Sequence, residues 1–433
     1  MYVLNIKNSV VRVDKYIDKY ISSVNNTGYS NKNFKIVSVC VLLIILYVLF
    51  KFYKSLFSNK SGYASGDASN ASNTSNASNI VKDVVAASFD TNGMPHMKRP
   101  FLNIWGVRKD NSEFLINIVF ITHPFTRDEC IIQYNEAKEK GKKDKGVLFL
   151  GLSSYSEFPG AISNPHDALH DKTIDAWTKY NYFELTRGWC SCFRPELNAK
   201  YIPRNFPLAN IAESDFANFE FHKPDPNVKK EYDFIYICLK DGDKKLEDKD
   251  CPNTWQGQIR RWDIAKKILD IMCKQYKLKG LLIGRIGCEI PPQCHQLMET
   301  TDFLQYNEFV KQYNKCRFML NCSESDASPR VLTENMCYNN PILVNTKILG
   351  GWQYVNDNTG ALFDPDNLNA FPQILEKFLD KLNNNKFTPR EWIIQNYGKY
   401  NSGKKLKTFV QSIFKEDELN FKFQDVEYLK PAI

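Results

Sequence analysis

The second half of the chain alternates short apolar runs with helical stretches, and this alternation is the feature that most restricts its fold. The apolar runs are YDFIYICL, KGLLIGR, RFMLNC and PILVN, all within residues 232–345. Strands that alternate with helices in this way favour a parallel sheet covered by helices on both faces. The pattern therefore predicts a doubly wound α/β domain, in which ligands bind at the carboxyl ends of the strands.

The first half carries a shorter version of the same pattern. Within residues 114–155, an apolar run, a helical stretch and a second apolar run predict one βαβ unit in a parallel sheet. A charged segment with two prolines, residues 220–231, marks the boundary between the halves. We therefore predict two Rossmann-like domains that face a cleft, over residues 96–227 and 228–385. Residues 386–433 are predicted to be a helical segment that packs back on the first domain.

An uncharged apolar run, IVSVCVLLIILYVLF at residues 36–50, precedes both halves. It is shorter than the ~20 residues that cross a typical bilayer, but flanking lysines can snorkel, so a transmembrane anchor over residues 36–53 is predicted. The alternative, a buried core helix, lacks amphipathic neighbours that could bury the run. More lysines and arginines precede the run than follow it, which predicts a cytoplasmic tail at residues 1–35.

A polar tract rich in Ser, Asn and Ala follows the anchor. No side chains in it could build a core, so residues 54–95 are predicted to form a flexible stem. It contains glycosylation sequons at Asn70, Asn73 and Asn76, which matter only on the lumenal side of a membrane. Together these segments predict a single-pass type II membrane protein, with a signal anchor and a lumenal folded region in the ER or Golgi.

Charge and cysteine content exclude several other classes. The formal charge of +8 is modest for 433 residues, and acids are interleaved with bases, so no nucleic-acid partner is predicted. Two close cysteine pairs, Cys190 with Cys192 and Cys288 with Cys294, have no second pair or histidine at zinc-finger spacing. We therefore predict no metal site, and either buried thiols or one or two disulfides.

The stretch DASPRVLTENMCYNNPILVN, residues 326–345, has a chemistry of its own. Ser328 suits a helix N-cap and Pro329 the first helical position, and Arg330 adds charge to the free helix amides. Asp326 and Glu334 would then lie on one side of this anion site, where carboxylates could accept hydrogen bonds from sugar hydroxyls. A nucleotide sugar fits this description. The alternative is an ordinary solvated helix start.

Residues 326–363 also resemble the donor-binding segment of GT-B glycosyltransferases, above all glycosyltransferase family 4. The shared pattern is an acid and a Glu eight positions apart, an internal Pro-Arg-Val-Leu-x-Glu, a Pro-led strand, a Gly-Gly turn and a Thr-Gly turn. This resemblance implies a GT-B fold and transfer of a sugar from a nucleotide-sugar donor to a hydroxyl of a glycan, protein or lipid acceptor. Residues 96–227 would bind the acceptor and residues 228–385 the donor.

The resemblance also implies roles for individual residues. Glu334 would bind the donor ribose, and Asp326, where the family usually has Glu, would contact the sugar beside the reacting carbon. The family's basic pair after the first strand is missing in its usual form, and Lys240, Arg260 or Arg261 could replace it. Arg285, at a strand end, is either a donor ligand or a structural ion-pair partner. The predicted catalytic residues are Asp326 and His123; the predicted donor-binding residues are Glu334, Arg330, Ser328, Val331, Gly350, Gly351, Lys240, Arg261 and Arg285.

Three interpretations remain open at this point. If the chain follows family 4, it is a hexosyl- or pentosyltransferase that retains the anomeric configuration and needs neither a metal nor a cofactor besides its nucleotide-sugar co-substrate. An exostosin-like inverting transferase is the second interpretation, since its donor segment also has an Ala-Ser-Pro-Arg step before a Glu. The third is a membrane-tethered carbohydrate-binding module that has lost turnover. The Gly350–Gly351 step could also be merely a turn that needs positive φ.

Overall fold

A computed structural model describes residues 89–90, 94, 96–125, 127–143, 145–153, 179–191, 193–194, 202–239 and 255–432. The predicted anchor, the three sequons and Lys240 lie outside these ranges. Within them, no helix combines the length and the apolar character that crossing a membrane requires.

The secondary structure of these ranges alternates between strands and helices. The strands are β1 (Phe89–Asp90), β2 (Phe101–Val107), β3 (Glu113–Ile121), β4 (Leu148–Leu152), β5 (Trp189–Cys190), β6 (Leu208–Ala209), β7 (Tyr232–Ile237), β8 (Gly280–Ile283), β9 (Met298–Thr301), β10 (Cys316–Asn321), β11 (Ile342–Asn345), β12 (Gly360–Phe363) and β13 (Tyr428–Pro431). The helices are α1 (Asp128–Lys143), α2 (Tyr182–Leu185), α3 (Trp255–Ile259), α4 (Trp262–Tyr276), α5 (Tyr306–Lys315), α6 (Arg330–Cys337), α7 (Phe371–Asn383), α8 (Pro389–Asn396) and α9 (Gly398–Ile413). Short 3-10 turns occupy Glu213–Phe216, Pro292–Cys294, Trp352–Tyr354, Leu368–Ala370, Glu416–Glu418 and Phe423–Asp425.

The first half is built on a seven-stranded sheet in the order β13-β2-β3-β4-β5-β6, with β1 added beside β3. The strands β3 to β6 are parallel neighbours, whereas β2 is antiparallel to both β3 and β13. The βαβ unit predicted over residues 114–155 is confirmed, since β3 and β4 are parallel neighbours joined by α1, but the wider sheet is not wholly parallel. The reason is that β2 and the distant β13 add an antiparallel pair, which the local βαβ pattern does not reveal.

The end of the chain belongs to the core of the first half. Leu406 and Val410 of α9 are buried in one apolar cluster with Ile104 of β2 and Ile116 of β3. The strand β13 extends the same sheet, and Glu113 of β3 pairs with Lys430 of β13. Residues 386–433 thus contain a strand as well as helices.

The second half is a six-stranded sheet in the order β12-β11-β10-β7-β8-β9, with every neighbouring pair parallel. Counted from β7, this is the doubly wound order 3-2-1-4-5-6 read from the other end. The strands β9 and β12 extend the predicted series. The order reverses between β7 and β10, so a ligand crevice is expected outside the carboxyl ends of these two strands. The loop with Asp326 follows β10 directly.

The helical stretch between the apolar runs YDFIYICL and KGLLIGR is not one continuous helix. It consists of α3 and α4, and the break falls on Arg260 and Arg261. Arg261 has a φ of 52°, in the left-handed region that non-glycine residues seldom occupy. The break therefore turns two adjacent arginines in different directions beyond the end of β7.

Loops of the second half pack against the first half. Ala327 and Leu349 are buried in the same apolar cluster as Phe101 and Phe125. Arg194 of the first half donates a hydrogen bond to the carbonyl oxygen of Thr346 at 2.7 Å. The loop that contains Asp326 is thus held from both halves.

Candidate functional site

Asp326 lies beyond the carboxyl end of β10 and pairs with Arg260 from the break between α3 and α4. The same guanidinium nitrogen of Arg260 is 3.1 Å from the hydroxyl oxygen of Ser323. Both side chains of the ion pair are largely buried, with exposures of 26% for Arg260 and 13% for Asp326. An arginine therefore stands beside the predicted sugar-contacting acid, at the switch point of the sheet.

Arg261, which was predicted to bind the donor, points elsewhere. It pairs with Glu324, and its Nη2 is 3.0 Å from a carboxylate oxygen of Asp263 at the start of α4. Of the two adjacent arginines, the structure thus brings Arg260 to Asp326. The sequence marks the pair as candidates, but a helical pattern alone could not show which of the two faces the site.

The helix α6 begins at Arg330, one position later than predicted, with Pro329 at its N-cap. Ser328 was predicted to cap this helix, and that prediction was wrong. Its hydroxyl oxygen instead accepts a hydrogen bond from the Ser214 amide at 2.9 Å and lies 3.2 Å from the Ser214 hydroxyl. Ser328 therefore ties the start of α6 to the 3-10 turn Glu213–Phe216.

A buried polar network continues from Ser214. The Tyr354 hydroxyl is 2.7 Å from the Ser214 hydroxyl and donates a hydrogen bond to the Asp215 carboxylate. The other Asp215 oxygen accepts from the Ala212 amide at 2.9 Å. Burial raises the pKa of Asp215 to about 6, although the bond from Tyr354 opposes this shift. The network was not anticipated, since Tyr354 lies about 140 positions along the sequence from Ser214 and Asp215.

The Gly350–Gly351 step packs against the Asp326 loop. A Cβ on Gly350 would lie 1.8 Å from the carbonyl oxygen of Ala327, and one on Gly351 would lie 2.5 Å from the Pro329 ring. Gly351 also has a φ of 77°. The Gly350 amide donates to the carbonyl oxygen of Asp326 at 2.8 Å, so it already has an acceptor. Only glycines permit this close approach.

Glu334 is buried on α6 among aromatic side chains. Its Oε1 accepts a hydrogen bond from the Tyr306 hydroxyl at 3.0 Å, and its Oε2 accepts one from the Tyr313 hydroxyl at 3.3 Å. Arg330 Nη2 lies 3.9 Å from Oε1. Burial raises the pKa of Glu334, while Arg330 and the two phenols oppose the shift. The carboxylate is therefore oriented in advance, with acceptor positions to spare.

Other predicted residues lie apart from this arrangement. His123, after β3, has its Nδ1 2.6 Å from the Thr122 hydroxyl, and burial with nearby Arg99 lowers its pKa to about 3. Arg285 is fully buried, with its Nε 3.2 Å from the Cys238 sulfur, so its guanidinium is not exposed to a ligand. Val331 is partly buried against the apolar core between the sheet and α6.

The structure adds residues to the site that the sequence alone did not single out. His222, from the segment between the two sheets, and Tyr306, at the start of α5, both lie against Glu334. Tyr306 could have been suspected from its place alone, because it starts the helix that follows the carboxyl end of β9. No comparable signal marks His222.

Comparisons with known proteins add the following. No family model matches the sequence, and no curated protein matches it. Among solved structures, the chain resembles TarM at 12% identity and a TM-score of 0.44, with 63% of this chain and 51% of that one covered. It resembles a sucrose-phosphate synthase from Thermosynechococcus elongatus at 11% identity and a TM-score of 0.45, covering 64% and 70%. A glycosyltransferase from Rickettsia africae matches at 12% identity and a TM-score of 0.42, covering 66% and 82%.

The chain thus spans about half of the length of TarM. The two sheets describe the fold without these likenesses. The sheet of the second half is wholly parallel and in doubly wound order, and the sheet of the first half is largely parallel. Two parallel-rich α/β sheets fit a GT-B fold. In doubly wound sheets, ligands bind outside the carboxyl ends of the strands, and Arg260 and Asp326 lie at this edge of the second sheet.

Proposed function

We propose that this protein is a glycosyltransferase that moves a sugar from a nucleotide-sugar donor to a hydroxyl group of a glycan, protein or lipid. One observation carries the proposal. Asp326, on the loop that follows β10, pairs with Arg260, and Glu334, on the helix that this loop leads into, has Arg330 Nη2 3.9 Å from its Oε1. Anionic and hydroxyl-rich parts of one ligand would both find partners there.

Each residue has a distinct part in this proposal. Arg260 has five N–H donors, so it can hold Asp326 and still donate to a diphosphate. Arg330 and the start of α6 add positive charge near the oxygens of the diphosphate. Glu334 accepts hydrogen bonds from the ribose hydroxyls, and Asp326 contacts the sugar next to its anomeric carbon. Hexosyl or pentosyl transfer is equally compatible with these contacts.

In the reaction, the bond between the anomeric carbon and the diphosphate oxygen breaks, and its electron pair stays on the diphosphate. The acceptor oxygen forms the new bond to that carbon and gives up its proton to the departing phosphate oxygen. Positive charge that is already in place stabilises the developing negative charge. Residues at the site supply this stabilisation, so the proposal needs no metal or cofactor. His123 has a lowered pKa and is a poor proton acceptor, so we assign it no role as a base.

We further propose retention of configuration and a lumenal, membrane-anchored location. The retaining outcome rests on the resemblance to family 4. Location is supported by a disulfide between Cys273 of α4 and Cys294, since such bonds persist mainly in oxidising compartments. A protease-protection assay on microsomes, with deglycosylation at Asn70, Asn73 and Asn76, tests the location. Full digestion of residues 96–433 in intact microsomes would refute it.

A second candidate function, sugar-nucleotide or glycan binding without turnover, has an observation of its own. The Asp326 carboxylate and the Gly350 amide, both expected to face a donor, already bond within the protein. A ligand would have to share or displace these partners. In this case the site would hold a ligand but not activate it.

Donor binding and donor consumption separate the two functions. The full-length chain, purified in detergent, is mixed with UDP-, GDP-, ADP- and CMP-sugars, and its unfolding temperature is followed by intrinsic fluorescence. Any stabilising donor is then assayed for hydrolysis and for transfer to an acceptor mixture. Stabilisation with turnover supports the transferase, and stabilisation without turnover supports the binding module. If none of the donors stabilises the chain, the transferase and the nucleotide-sugar-binding module are both refuted.

A further inference from the structure

A buried histidine connects the segment between the two halves to the Glu334 carboxylate. The His222 side chain is 5% exposed, and its Nε2 is 3.9 Å from Glu334 Oε1. The same nitrogen is 3.1 Å from the Tyr306 hydroxyl, which itself lies 3.0 Å from Glu334 Oε1. The three groups thus meet at one point, although they come from the linker, α5 and α6.

The hydrogen atoms available to these groups determine the direction of the bonds. The Tyr306 hydroxyl has one hydrogen, and the carboxylate can only accept. If Tyr306 donates to Glu334, it can accept a hydrogen bond only from an Nε2–H of His222. The opposite tautomer would turn the Tyr306 hydrogen away from the carboxylate. Burial and nearby Arg330 lower the pKa of His222 to about 4, so one ring nitrogen carries a hydrogen at neutral pH.

Packing holds the imidazole in this position. The ring of His222 lies edge-on to those of Tyr306 and Tyr338, with centroids 6.2 and 5.9 Å apart. Arg390 of α8 donates to the carbonyl oxygen of His222 at 2.9 Å and to that of Phe219 at 3.2 Å, which fixes the backbone of the linker. His222 Nδ1 is buried and has no hydrogen-bond partner in the part of the chain that the structure describes. Among the described residues, the ring therefore makes a hydrogen bond through Nε2 alone, to the Tyr306 hydroxyl, which is itself hydrogen-bonded to Glu334.

The second carboxylate oxygen is fixed independently by Tyr313, at 3.3 Å. With one phenol on each oxygen, the plane of the carboxylate is set, and its remaining lone pairs keep fixed directions. A pair of neighbouring hydroxyls on a ligand could use both remaining positions at once. A ribose 2′,3′-diol presents this arrangement, whereas a 2′-deoxyribose does not.

We propose that His222 is a positioning residue that aligns the Glu334 carboxylate, through Tyr306, to recognise the ribose diol of the donor nucleotide. This inference rests on the proposed function and makes it more specific. Recognition of the 2′-hydroxyl should then depend on His222, although His222 itself does not touch the ligand. A residue that serves only to fill space would affect ribo- and deoxyribonucleotides equally.

The test measures the ratio of two affinities in the full-length chain. UDP, GDP and ADP are titrated by calorimetry, and the tightest of them is compared with its 2′-deoxy form. The wild type should prefer the ribonucleotide by roughly tenfold to a hundredfold, as expected for one hydrogen bond to a charged group. His222→Leu and Tyr306→Phe should each lower this ratio by about tenfold. His222→Gln, whose amide nitrogen can replace Nε2–H, should restore most of it.

Two reference variants make the result decisive. Glu334→Gln should remove most of the preference directly, and His295→Gln, at an exposed position, should leave it unchanged. If Glu334→Gln abolishes the preference but His222→Leu and Tyr306→Phe keep it, the positioning role is refuted while the proposed function stands. If the wild type binds none of the three nucleoside diphosphates, the proposed transfer from a nucleoside-diphosphate sugar fails, and this inference fails with it. If His222→Leu does not fold, Tyr306→Phe and His222→Gln still decide between the outcomes.

Discussion

Arg260 and Asp326 form an ion pair between two loops that follow the adjacent strands β7 and β10. The residues are 66 positions apart in the sequence, and they meet at the point where the strand order of the sheet reverses. The pairing places Arg260, at the break between α3 and α4, against the loop that follows β10. The break is thus part of the site.

Arg260→Gln should lower turnover far more than Arg261→Gln. Arg260 lies beside Asp326 and would stabilise the departing diphosphate, so its loss should reduce kcat for donor hydrolysis by about 10²–10³-fold. Arg261 pairs with Glu324 and with the exposed Asp263, and its substitution should cost less than tenfold. Steady-state assays at saturating donor measure both. Equal losses in the two variants would contradict the assignment.

Asp326→Asn should lower kcat with little change in donor affinity, because in the proposed function its charge acts near the reacting carbon. Glu334→Gln should do the reverse, weakening donor binding by roughly tenfold to a hundredfold through the ribose contact. Calorimetry with the donor and initial-rate assays separate these effects. Should Glu334→Gln bind donor as tightly as the wild type, the ribose assignment would be lost, whatever its activity.

The fold of the second half could largely be predicted from the sequence, but little of the fold of the first half could. The strands β7, β8, β10 and β11 could be predicted because each is a short apolar run, and the neighbouring residues in the sequence mark where it begins and ends. The pairing of β13 with β2 joins residues at opposite ends of the folded region, and no local pattern encodes it. Ser214, Asp215 and Tyr354 were missed for the same reason, since a buried polar network is specified only by tertiary contact.

The site shows the same division. Glu334 and Asp326 could be proposed from the sequence because a spaced motif on one strand-loop-helix carries them. Arg260 could not be separated from Arg261 by helical periodicity, since the break that distinguishes them depends on partners far along the chain. His222 lies in a charged linker segment with no motif, and only its contact with Tyr306 reveals a relation to the site.

Gly350→Ala should destabilise the chain more than Gly287→Ala. The new Cβ at position 350 would collide with the carbonyl oxygen of Ala327, at 1.8 Å. At position 287 nothing lies within 4 Å, but φ is +81°, so the cost there is that of the backbone conformation alone, about 1–2 kcal/mol. Unfolding temperatures and donor affinity of both variants are compared. A smaller effect at 350 than at 287 would contradict the packing of this turn on the Asp326 loop.

Replacing both Cys273 and Cys294 with alanine should lower the free energy of unfolding by about 3 kcal/mol. The disulfide closes a loop with a sequence separation of 21 residues, and the loss follows from the entropy that the unfolded chain regains. Urea titrations without reductant measure the change. If the double variant unfolds at the same urea concentration as the wild type, this bond does not form in the purified protein.

The pH dependence of stability should carry the signature of Asp215. Its pKa is about 6 in the folded chain, where the ordinary value is 3.8. Between these values the folded chain binds more protons than the unfolded chain, so this group's stabilising contribution is present below about pH 4 and is lost as the pH rises through about 6. The shift corresponds to about 3 kcal/mol.

Asp215→Asn should remove this dependence without breaking the network. The asparagine oxygen can accept from the Ala212 amide, and its NH₂ group can donate to the Tyr354 hydroxyl, which can in turn donate to Ser214. Urea unfolding at pH 4, 5, 6 and 7 gives the difference in free energy between wild type and variant at each pH. That difference should change by about 2.4 kcal/mol between pH 4 and pH 7, and the exposed Asp417→Asn should show no such change. A constant difference for Asp215→Asn would mean that the carboxyl group titrates near its ordinary pKa, and that the network tolerates a buried charge.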